Sequence, residues 1–236
     1  MWIFPWINKS GITEFAKYFK IPCVGGKVSF YNETQKGPIK PTPLIGVLGI
    51  IDKSPLRPLQ IKSNDLLLII GETKNELGGS EYLEYIHNFT GGKCPQVDFK
   101  VSKMNMSIVL ELIKKNLTKN VHDCSKGGLA IAVSELCMND NIGCIISIDK
   151  IPSKKLQVDQ LLFSETHSRY LIVIEEKNVN KIKNILNDKK LDYSILGKFG
   201  GSHILFKNKN TKIVNLSVDK ARLNWMNSLE ELVIHG

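Results

Sequence analysis

Arginine is scarce in this chain of 236 residues. Only Arg57, Arg169 and Arg222 stand among its 32 basic residues, so the formal net charge of +9 comes almost entirely from lysine. Arginine is the side chain that most often reads base edges in nucleic acids. The lysines are scattered, and we favour a solvated lysine surface over a dedicated nucleic-acid-binding face. The sequence therefore predicts no nucleic-acid partner.

Long hydrophobic runs are also missing. No stretch approaches the roughly 18 apolar residues that a membrane span needs. The apolar start at residues 1–7 has neither the basic n-region nor the small-residue cleavage site of a signal peptide. With 42% hydrophobic and 23% charged residues, the composition is that of an ordinary globular protein. We expect a cytoplasmic protein without a membrane partner.

Sequence patterns typical of disulfide frameworks and zinc sites are absent as well. The cysteines are Cys23, Cys94, Cys124, Cys137 and Cys144. Their number is odd and they form no C-x-x-C pair, which argues against a disulfide framework and against a zinc ribbon. The histidines show no metal-ligand spacing.

The first part of the chain predicts too little structure to enclose a core. We expect a helix over residues 8–20 capped by Ser10, a short strand at 21–24, a loop at 34–43 and a buried strand at 44–51. The proline-containing stretch 52–58 is the best candidate for a linker. So small a front segment indicates either packing on a second domain or the tail of a larger one.

The remainder predicts a mixed α/β domain with helices on one face of a sheet. The expected strands cover residues 65–70, 144–149, 170–175, 193–199, 203–207 and 211–216, and residues 120–123 are expected to be a short strand or its exit. The expected helices cover residues 80–87, 102–117, 129–138, 177–188 and 217–232. We therefore expect the pattern of a second domain to begin after the linker at 52–58.

A glycine pair follows the first expected strand, in the stretch Pro22-Cys-Val-Gly-Gly-Lys-Val-Ser-Phe-Tyr-Asn-Glu33. Gly25 and Gly26 would let a phosphate approach the backbone closely. Lys27 would supply a point charge and Ser29 a hydroxyl group. On spacing alone, a Gly-Gly turn with polar surface residues is the favoured alternative.

A second glycine pair, Gly127 and Gly128, opens the helix expected at 129–138. Asp123 or Ser125 can cap that helix. A helix N-terminus with glycines accepts an anion. Close packing of a core helix explains the same glycines equally well, so both interpretations stay open.

Three glutamates, Glu72, Glu76 and Glu81, surround the glycines at 78–79. Such a cluster could hold a magnesium ion. Carboxylates placed favourably in the dipole of a helix start are the alternative that we favour.

A short polar turn before the strand at 170–175 contains Ser164, Glu165, His167 and Arg169. A serine–histidine nucleophile pair would need an elbow turn and an orienting acid, and neither is recognisable. We therefore favour a hydrogen-bonded loop.

Taken together and in this order, these stretches resemble the C-terminal part of the phosphoribosylformylglycinamidine synthase large subunit, within the aminoimidazole ribonucleotide synthetase-like superfamily. The stretches that carry the resemblance are Ile21-Pro-Cys-Val-Gly-Gly-Lys-Val-Ser-Phe-Tyr-Asn-Glu-Thr34, Pro41-Thr-Pro-Leu-Ile-Gly46, Gly71-Glu-Thr-Lys-Asn-Glu-Leu-Gly-Gly-Ser-Glu-Tyr-Leu83, His122-Asp-Cys-Ser-Lys-Gly-Gly-Leu129 and Phe163-Ser-Glu-Thr166. They span most of the chain.

The resemblance implies a domain organisation. The family's large subunit repeats two units, each with a β-rich N-terminal dimerisation domain and an α/β C-terminal domain. Residues 1–57 then match the incomplete tail of the second N-terminal domain. Residues 58–236 match the whole second C-terminal domain.

The resemblance also implies a reaction, the ATP-dependent amidation of formylglycinamide ribonucleotide with glutamine-derived ammonia in purine biosynthesis. This is C–N ligase chemistry with ATP and Mg2+ as cofactors. The expected partners are the N-terminal half of the synthase, a glutaminase subunit and a small structural subunit. The family's catalytic histidine and main magnesium carboxylates lie in the first repeat, so the isolated chain should be inactive and contains no expected catalytic residue.

The family's Gly-Gly-Asn-Val-Ser loop contacts ATP through its second glycine, magnesium through its asparagine and substrate through its serine. Gly26 matches that glycine and Ser29 that serine. The resemblance therefore implies ATP contacts from Gly25, Gly26 and Lys27, and a substrate contact from Ser29. Lys27 replaces the asparagine, and a charged lysine cannot ligate a metal ion because it has only donors.

In the second repeat, the equivalent of the catalytic site would be structural or would hold an auxiliary nucleotide at Asp123, Gly127 and Gly128. A non-catalytic nucleotide-binding scaffold of the same complex is the alternative function. A third interpretation, another enzyme of the superfamily, fits less well, since an Asp-rich metal segment and a terminal reactive cysteine are both missing.

Overall fold

The computed structural model describes residues 11–27, 29, 31–35, 37–39, 42–50 and 58–235. Contacts divide the chain into two units, Met1–Pro55 and Leu56–Gly236. Ser10, the expected helix cap, and most of the expected linker lie outside the described residues.

The described residues of the first unit form one α-helix and one small hairpin. Helix α1 covers Thr13–Phe19, and strands β1 (Glu33–Thr34) and β2 (Gly37–Pro38) pair antiparallel. None of the described residues in this unit is buried. The expected buried strand at 44–51 is wrong, because residues 42–50 are not in a strand and Leu44 is 99% exposed. The strand expected at 21–24 is wrong too, since those residues have no regular structure.

The described residues of the second unit, 58–235, form the seven expected strands and one α-helix more than expected. Its strands are β3 Leu66–Ile70, β4 Asn120–Asp123, β5 Cys144–Ser147, β6 Tyr170–Ile174, β7 Tyr193–Phe199, β8 His203–Asn208 and β9 Thr211–Ser217. Its helices are α2 Glu81–His87, α3 Phe99–Lys114, α4 Gly128–Asp140, α5 Val158–Phe163, α6 Val179–Asp188 and α7 Val218–His235. The sequence missed α5 because its 6 residues are too few to show a helical period.

The seven strands form one mixed sheet in the order β4-β6-β3-β7-β5-β8-β9. Neighbours are antiparallel except β5 and β8, which run parallel. Strand β3, which lies inside the sheet between β6 and β7, is apolar on both faces. Leu67 and Ile69 face one core cluster, and Leu68 and Ile70 face the other.

Helices cover both faces of this sheet, so the expected one-sided arrangement is wrong. Helices α4, α5 and α7 pack in the cluster that contains Leu67, and α3 and α6 pack in the cluster that contains Leu68. The physical reason lies in β3 and β6, whose side chains are buried on both faces and therefore need a layer on each side. Within the described residues, no helix is long and apolar enough to span a membrane.

Candidate functional site

The glycine loop of the first unit is open to solvent. Gly25, Gly26, Lys27 and Ser29 are all exposed. A Cβ atom added to either glycine would meet nothing within 4 Å. The backbone oxygen of Ser29 accepts a hydrogen bond of 2.6 Å from Asn32 Nδ2. Packing within the chain therefore does not require these glycines, and the loop leaves room for an external group to reach its backbone.

The side chain at position 27 of this loop cannot be a magnesium ligand. The lysine there offers three donors and no acceptor. No group of three or more His, Cys, Asp or Glu side chains that could hold a metal ion occurs among the residues that the structure describes. The exposed positive charge of Lys27 fits a phosphate instead.

In the second unit, Glu165 joins two helix starts. Its Oε1 atom accepts hydrogen bonds from the backbone N–H of Glu81, at 3.0 Å, and of Gly127, at 2.8 Å. Glu81 is the first residue of α2, and Gly127 is the N-cap of α4. One carboxylate thus satisfies donors at two N-termini, where a negative charge is favoured by the helix dipole.

The stretch around Glu165 also binds the loop that follows β3. The N–H of Glu165 donates to Glu76 O at 3.0 Å. The N–H of Glu76 donates to Ser164 Oγ at 3.3 Å, and that of Lys74 donates to Thr166 Oγ1 at 3.1 Å. Residues 74–81 and Gly127, which are distant in sequence, therefore converge on residues 164–166.

Arg169 is buried below this junction, with 1% of its surface exposed. It donates through Nε to Thr166 O at 3.0 Å, through Nη1 to Thr73 Oγ1 at 3.1 Å and through Nη2 to Ser164 O. Burial lowers the pKa of Arg169, while Cys124 and the carboxylates of Glu76 and Glu165 act in the opposite direction. The guanidinium therefore has a structural role: its hydrogen bonds hold the polar turn in place.

The glycines at the start of α4 are required by packing. Both have positive φ, +74° at Gly127 and +66° at Gly128. A Cβ on Gly128 would lie 2.6 Å from Ser164 O, and one on Gly127 would lie 2.3 Å from Ile131 Cγ1. Neither Asp123 nor Ser125 caps the helix as expected; Ser125 Oγ donates to the exposed Asp123 carboxylate instead.

A small cleft lies beside this junction, at the end of β3. It has a volume of about 110 Å³ and is lined by Gly71, Asp98, Asn105, Ser168 and Asp192 among others. Binding pockets for drug-sized ligands have volumes of roughly 300–1,000 Å³. The cleft is therefore too small to enclose a nucleotide.

Comparison with known proteins gives the family. Residues 62–206 match the model of the AIR synthase related protein, C-terminal domain. The chain belongs to this family.

Similarity to curated relatives extends beyond that AIR synthase related domain. The chain is 39% identical over 225 residues to the phosphoribosylformylglycinamidine synthase subunit PurL of Thermococcus sibiricus. This alignment covers 94% of this chain and 31% of the relative. The chain therefore spans about a third of the length of that relative.

Solved structures share the fold. Thermotoga maritima PurL complexed with FGAR aligns with a TM-score of 0.61 and 20% identity, over 70% of this chain and 29% of that one. The same protein complexed with ATP aligns with a TM-score of 0.58 and 19% identity, over 70% of this chain and 26% of that one.

Within the AIR synthase related domain, the polar turn is a hydrogen-bonded loop, as favoured from the sequence. Ser164 is fully buried and Arg169 has backbone and hydroxyl partners, whereas His167 is exposed. The glutamates do not assemble into a metal site. Glu81 pairs with Lys126 at 2.8 Å, and Glu76 Oε1 accepts the N–H of Gln96 at 3.1 Å.

The sequence did not predict that Glu165 acts as a clamp, by which we mean that its carboxylate joins the starts of α2 and α4 through two hydrogen bonds. Its sequence neighbours mark a polar turn, but nothing in them shows which helix starts the turn will meet. Since the N–H of Gly127 donates to Glu165, the start of α4 is already occupied by a carboxylate of the same chain. The auxiliary nucleotide site at Asp123, Gly127 and Gly128 stays a prediction.

Proposed function

We propose that this chain is part of a phosphoribosylformylglycinamidine synthase, which amidates formylglycinamide ribonucleotide in purine biosynthesis with ATP and glutamine-derived ammonia. The observation that carries the proposal is the 39% identity with a PurL subunit along 94% of the chain. The likeness in fold to PurL structures complexed with FGAR and with ATP supports it.

In this proposal, the glycine loop is the contribution of the chain to the active site. Gly25 and Gly26 offer backbone N–H groups that a polyphosphate can approach, because no Cβ atom stands in the way. Lys27 supplies a positive charge to ATP, and the hydroxyl of Ser29 donates to the ribonucleotide. ATP, when bound, supplies the phosphoryl group that activates the amide oxygen of the substrate.

The remainder of the site is assigned to other parts of the enzyme. No catalytic residue is assigned to this chain, and the magnesium ligands stay unknown. The described residues contain no group of three or more His, Cys, Asp or Glu side chains that could hold the ion. The chain then needs the N-terminal half of the synthase, together with a glutaminase subunit and a small structural subunit. Residues 1–57 act as the tail of an N-terminal domain, and residues 58–236 as a C-terminal domain.

The test is amidine synthesis from formylglycinamide ribonucleotide, ATP and ammonium. Ammonium removes the need for the glutaminase. The chain is assayed alone and after mixing with a matching N-terminal half, for which the PurL of Thermococcus sibiricus provides a template. We expect activity only in the mixture, because the chain alone lacks the catalytic groups.

A matched pair of aspartate variants locates the loop in the site. Gly26→Asp puts a negative charge beside the polyphosphate, and we expect activity to fall by roughly 100-fold or more. Gly11→Asp adds the same side chain at another exposed glycine with open space around it, and should leave activity unchanged. Ser29→Ala should raise KM for the ribonucleotide by about 10-fold through loss of one hydrogen bond.

Three results would contradict the proposal. Activity of the chain alone would mean that catalytic groups are present in it. Equal activity of the two aspartate variants would remove the loop from the site. An inactive mixture that still forms a complex and binds ATP would favour the alternative function, a nucleotide-binding scaffold.

A further inference from the structure

A side-chain hydrogen bond ties Ser29 to the hairpin that follows it. Asn32 Nδ2 donates to the backbone oxygen of Ser29 at 2.6 Å. The backbone oxygen of Asn32 in turn accepts the N–H of Ile39 at 3.0 Å. This second bond continues the antiparallel ladder of β1 and β2, in which Glu33 lies opposite Pro38. Asn32 therefore stands between the glycine loop and the hairpin and is bonded to both.

Packing gives the glycine loop little restraint. Gly25 and Gly26 have wide backbone freedom because they lack a Cβ atom, and both are exposed. At the front of the loop, Cys23 contacts Gly25 O only through a thiol, which is a weak donor, at 3.6 Å. A loop that becomes ordered only on binding loses affinity, because the free energy of ordering is subtracted from that of binding. A bond that restrains Ser29 beforehand therefore favours ligand binding.

The bond to Ser29 needs a donor at position 32. A backbone oxygen only accepts, so the asparagine amide must turn its nitrogen towards it. Side chains that bond to the backbone a few residues away are typical of ordered turns, and asparagine is prominent among them. An aspartate has the same shape but would hold a negative oxygen against the carbonyl of Ser29, and an alanine would remove the bond.

We infer that Asn32 is a positioning residue of the proposed active site: it fixes the backbone at Ser29 and with it the place of the Ser29 hydroxyl. This inference rests on the proposed function, which assigns that hydroxyl to the ribonucleotide. The bond acts on Ser29 itself, whereas Gly26 and Lys27, the proposed ATP contacts, lie three and two positions before it. The restraint therefore favours binding of the ribonucleotide more than binding of ATP.

Steady-state kinetics of the mixture with the N-terminal half tests this difference between the two substrates. Asn32→Ala should raise KM for formylglycinamide ribonucleotide by roughly 5- to 10-fold, the size of effect expected for one hydrogen bond, and KM for ATP by less than about twofold. Asn32→Asp should raise KM for the ribonucleotide further, because it adds repulsion at the carbonyl of Ser29. Equal rises in both KM values would contradict the inference.

Thr34→Val is the matched control. Thr34 Oγ1 donates to Gly37 O at 3.2 Å, a bond that also spans three positions but stays inside the hairpin. Both KM values of this variant should stay within about twofold of the parent chain. A loss as large as that of Asn32→Ala would mean that the hairpin as a whole matters, and would overturn the specific role of Asn32.

A double-variant cycle with Ser29→Ala distinguishes positioning from direct contact. If Asn32 acts through the Ser29 hydroxyl, adding Asn32→Ala to Ser29→Ala should lower kcat/KM by no more than about twofold. The full effect of Asn32→Ala in the Ser29→Ala background would mean that the amide touches the substrate itself. A raised magnesium requirement of Asn32→Ala would mean that it touches the metal. Either result would overturn the inference.

Backbone 15N relaxation of the full chain alone gives a readout that does not need turnover. Order parameters of the Lys27 and Ser29 amides should fall below about 0.6 in Asn32→Ala and stay above that value in the parent chain and in Thr34→Val. Equal values in Asn32→Ala and the parent chain would overturn the inference even if the mixture is active. An inactive mixture in which the values fall as expected would support the restraint and contradict the proposed function instead.

Discussion

The carboxylate of Glu165 accepts the backbone N–H of Gly127 at 2.8 Å across 38 positions of sequence. The same oxygen accepts the N–H of Glu81 at 3.0 Å. The start of α2, the start of α4 and the polar turn are thus joined at one atom. The rings of Tyr82, in α2, and Phe163, just before the polar turn, are stacked with their centroids 4.7 Å apart and add an apolar contact.

Loss of the Glu165 carboxylate should destabilise the second unit. Glu165→Ala leaves two helix-terminal donors without their acceptor, and we expect the free energy of unfolding to fall by about 1–3 kcal/mol. Glu165→Gln keeps a neutral acceptor and should cost less. The measurement is urea unfolding followed by circular dichroism. Glu176→Gln, at an exposed glutamate, is the control and should change stability by less than about 0.5 kcal/mol. Equal stability of Glu165→Ala and Glu176→Gln would exclude the clamp.

A pair of alanine variants separates backbone strain from steric contact at the start of α4. Gly128 and Gly201 have similar angles, φ +66° and +70°. A Cβ on Gly128 would lie 2.6 Å from Ser164 O, whereas one on Gly201 meets nothing within 4 Å. Gly201→Ala should therefore cost only about 1–2 kcal/mol of backbone strain. Gly128→Ala should cost distinctly more, or abolish folding. Similar melting temperatures for the two variants would show that the backbone around Ser164 shifts at little cost to accommodate the added methyl group.

The ion pair between Lys119 and Asp65 is nearly inaccessible to water, with side chains exposed by 9% and 8% and an Nζ–Oδ2 distance of 2.8 Å. Removal of one partner leaves the charge of the other buried and without its counter-charge. We expect Lys119→Met to lower the free energy of unfolding by about 3–5 kcal/mol. Lys115→Met breaks the exposed pair with Glu111 and should cost at most about 1 kcal/mol. The double variant Asp65→Leu with Lys119→Met should recover part of the loss, and no recovery would argue against direct coupling.

Stability in alkaline solution should depend on Cys124. Burial raises the pKa of this thiol to about 11, aided by Asp123 and opposed by Arg169. Because the folded state then holds the proton more tightly than the unfolded state, this stabilisation is complete below about pH 9 and is lost as the pH rises towards 11. We expect a loss of roughly 1–3 kcal/mol over that range.

Urea unfolding at pH 8 and pH 10.5 checks this dependence. The stability of Cys124→Ala should fall less between the two pH values than that of the parent chain. Cys94→Ala, at an exposed thiol, should show the parent's full pH dependence. If Cys124→Ala and Cys94→Ala behave alike, the buried thiol is not the titrating group.

Local pattern was sufficient for most of the second unit. The apolar runs of β3 and β6, and the apolar face of α4, predict their elements within a few residues, because burial of these side chains is decided within the same unit. The motifs also carry the family resemblance, which the match over residues 62–206 confirms. Ser80 caps the helix expected at residues 80–87, and its side chain accepts the N–H of Leu83.

The tertiary structure alone decided how these pieces meet. A sequence shows that Glu165 and Gly127 are a carboxylate and a glycine, but their contact depends on where β6 and α4 lie in the sheet order. The reason for Gly128 is likewise the close approach of a distant carbonyl. The stretch 44–50 illustrates the opposite limit. Its apolar residues predict a buried strand, yet burial requires a second layer, and within the described part of the first unit the sequence supplies none.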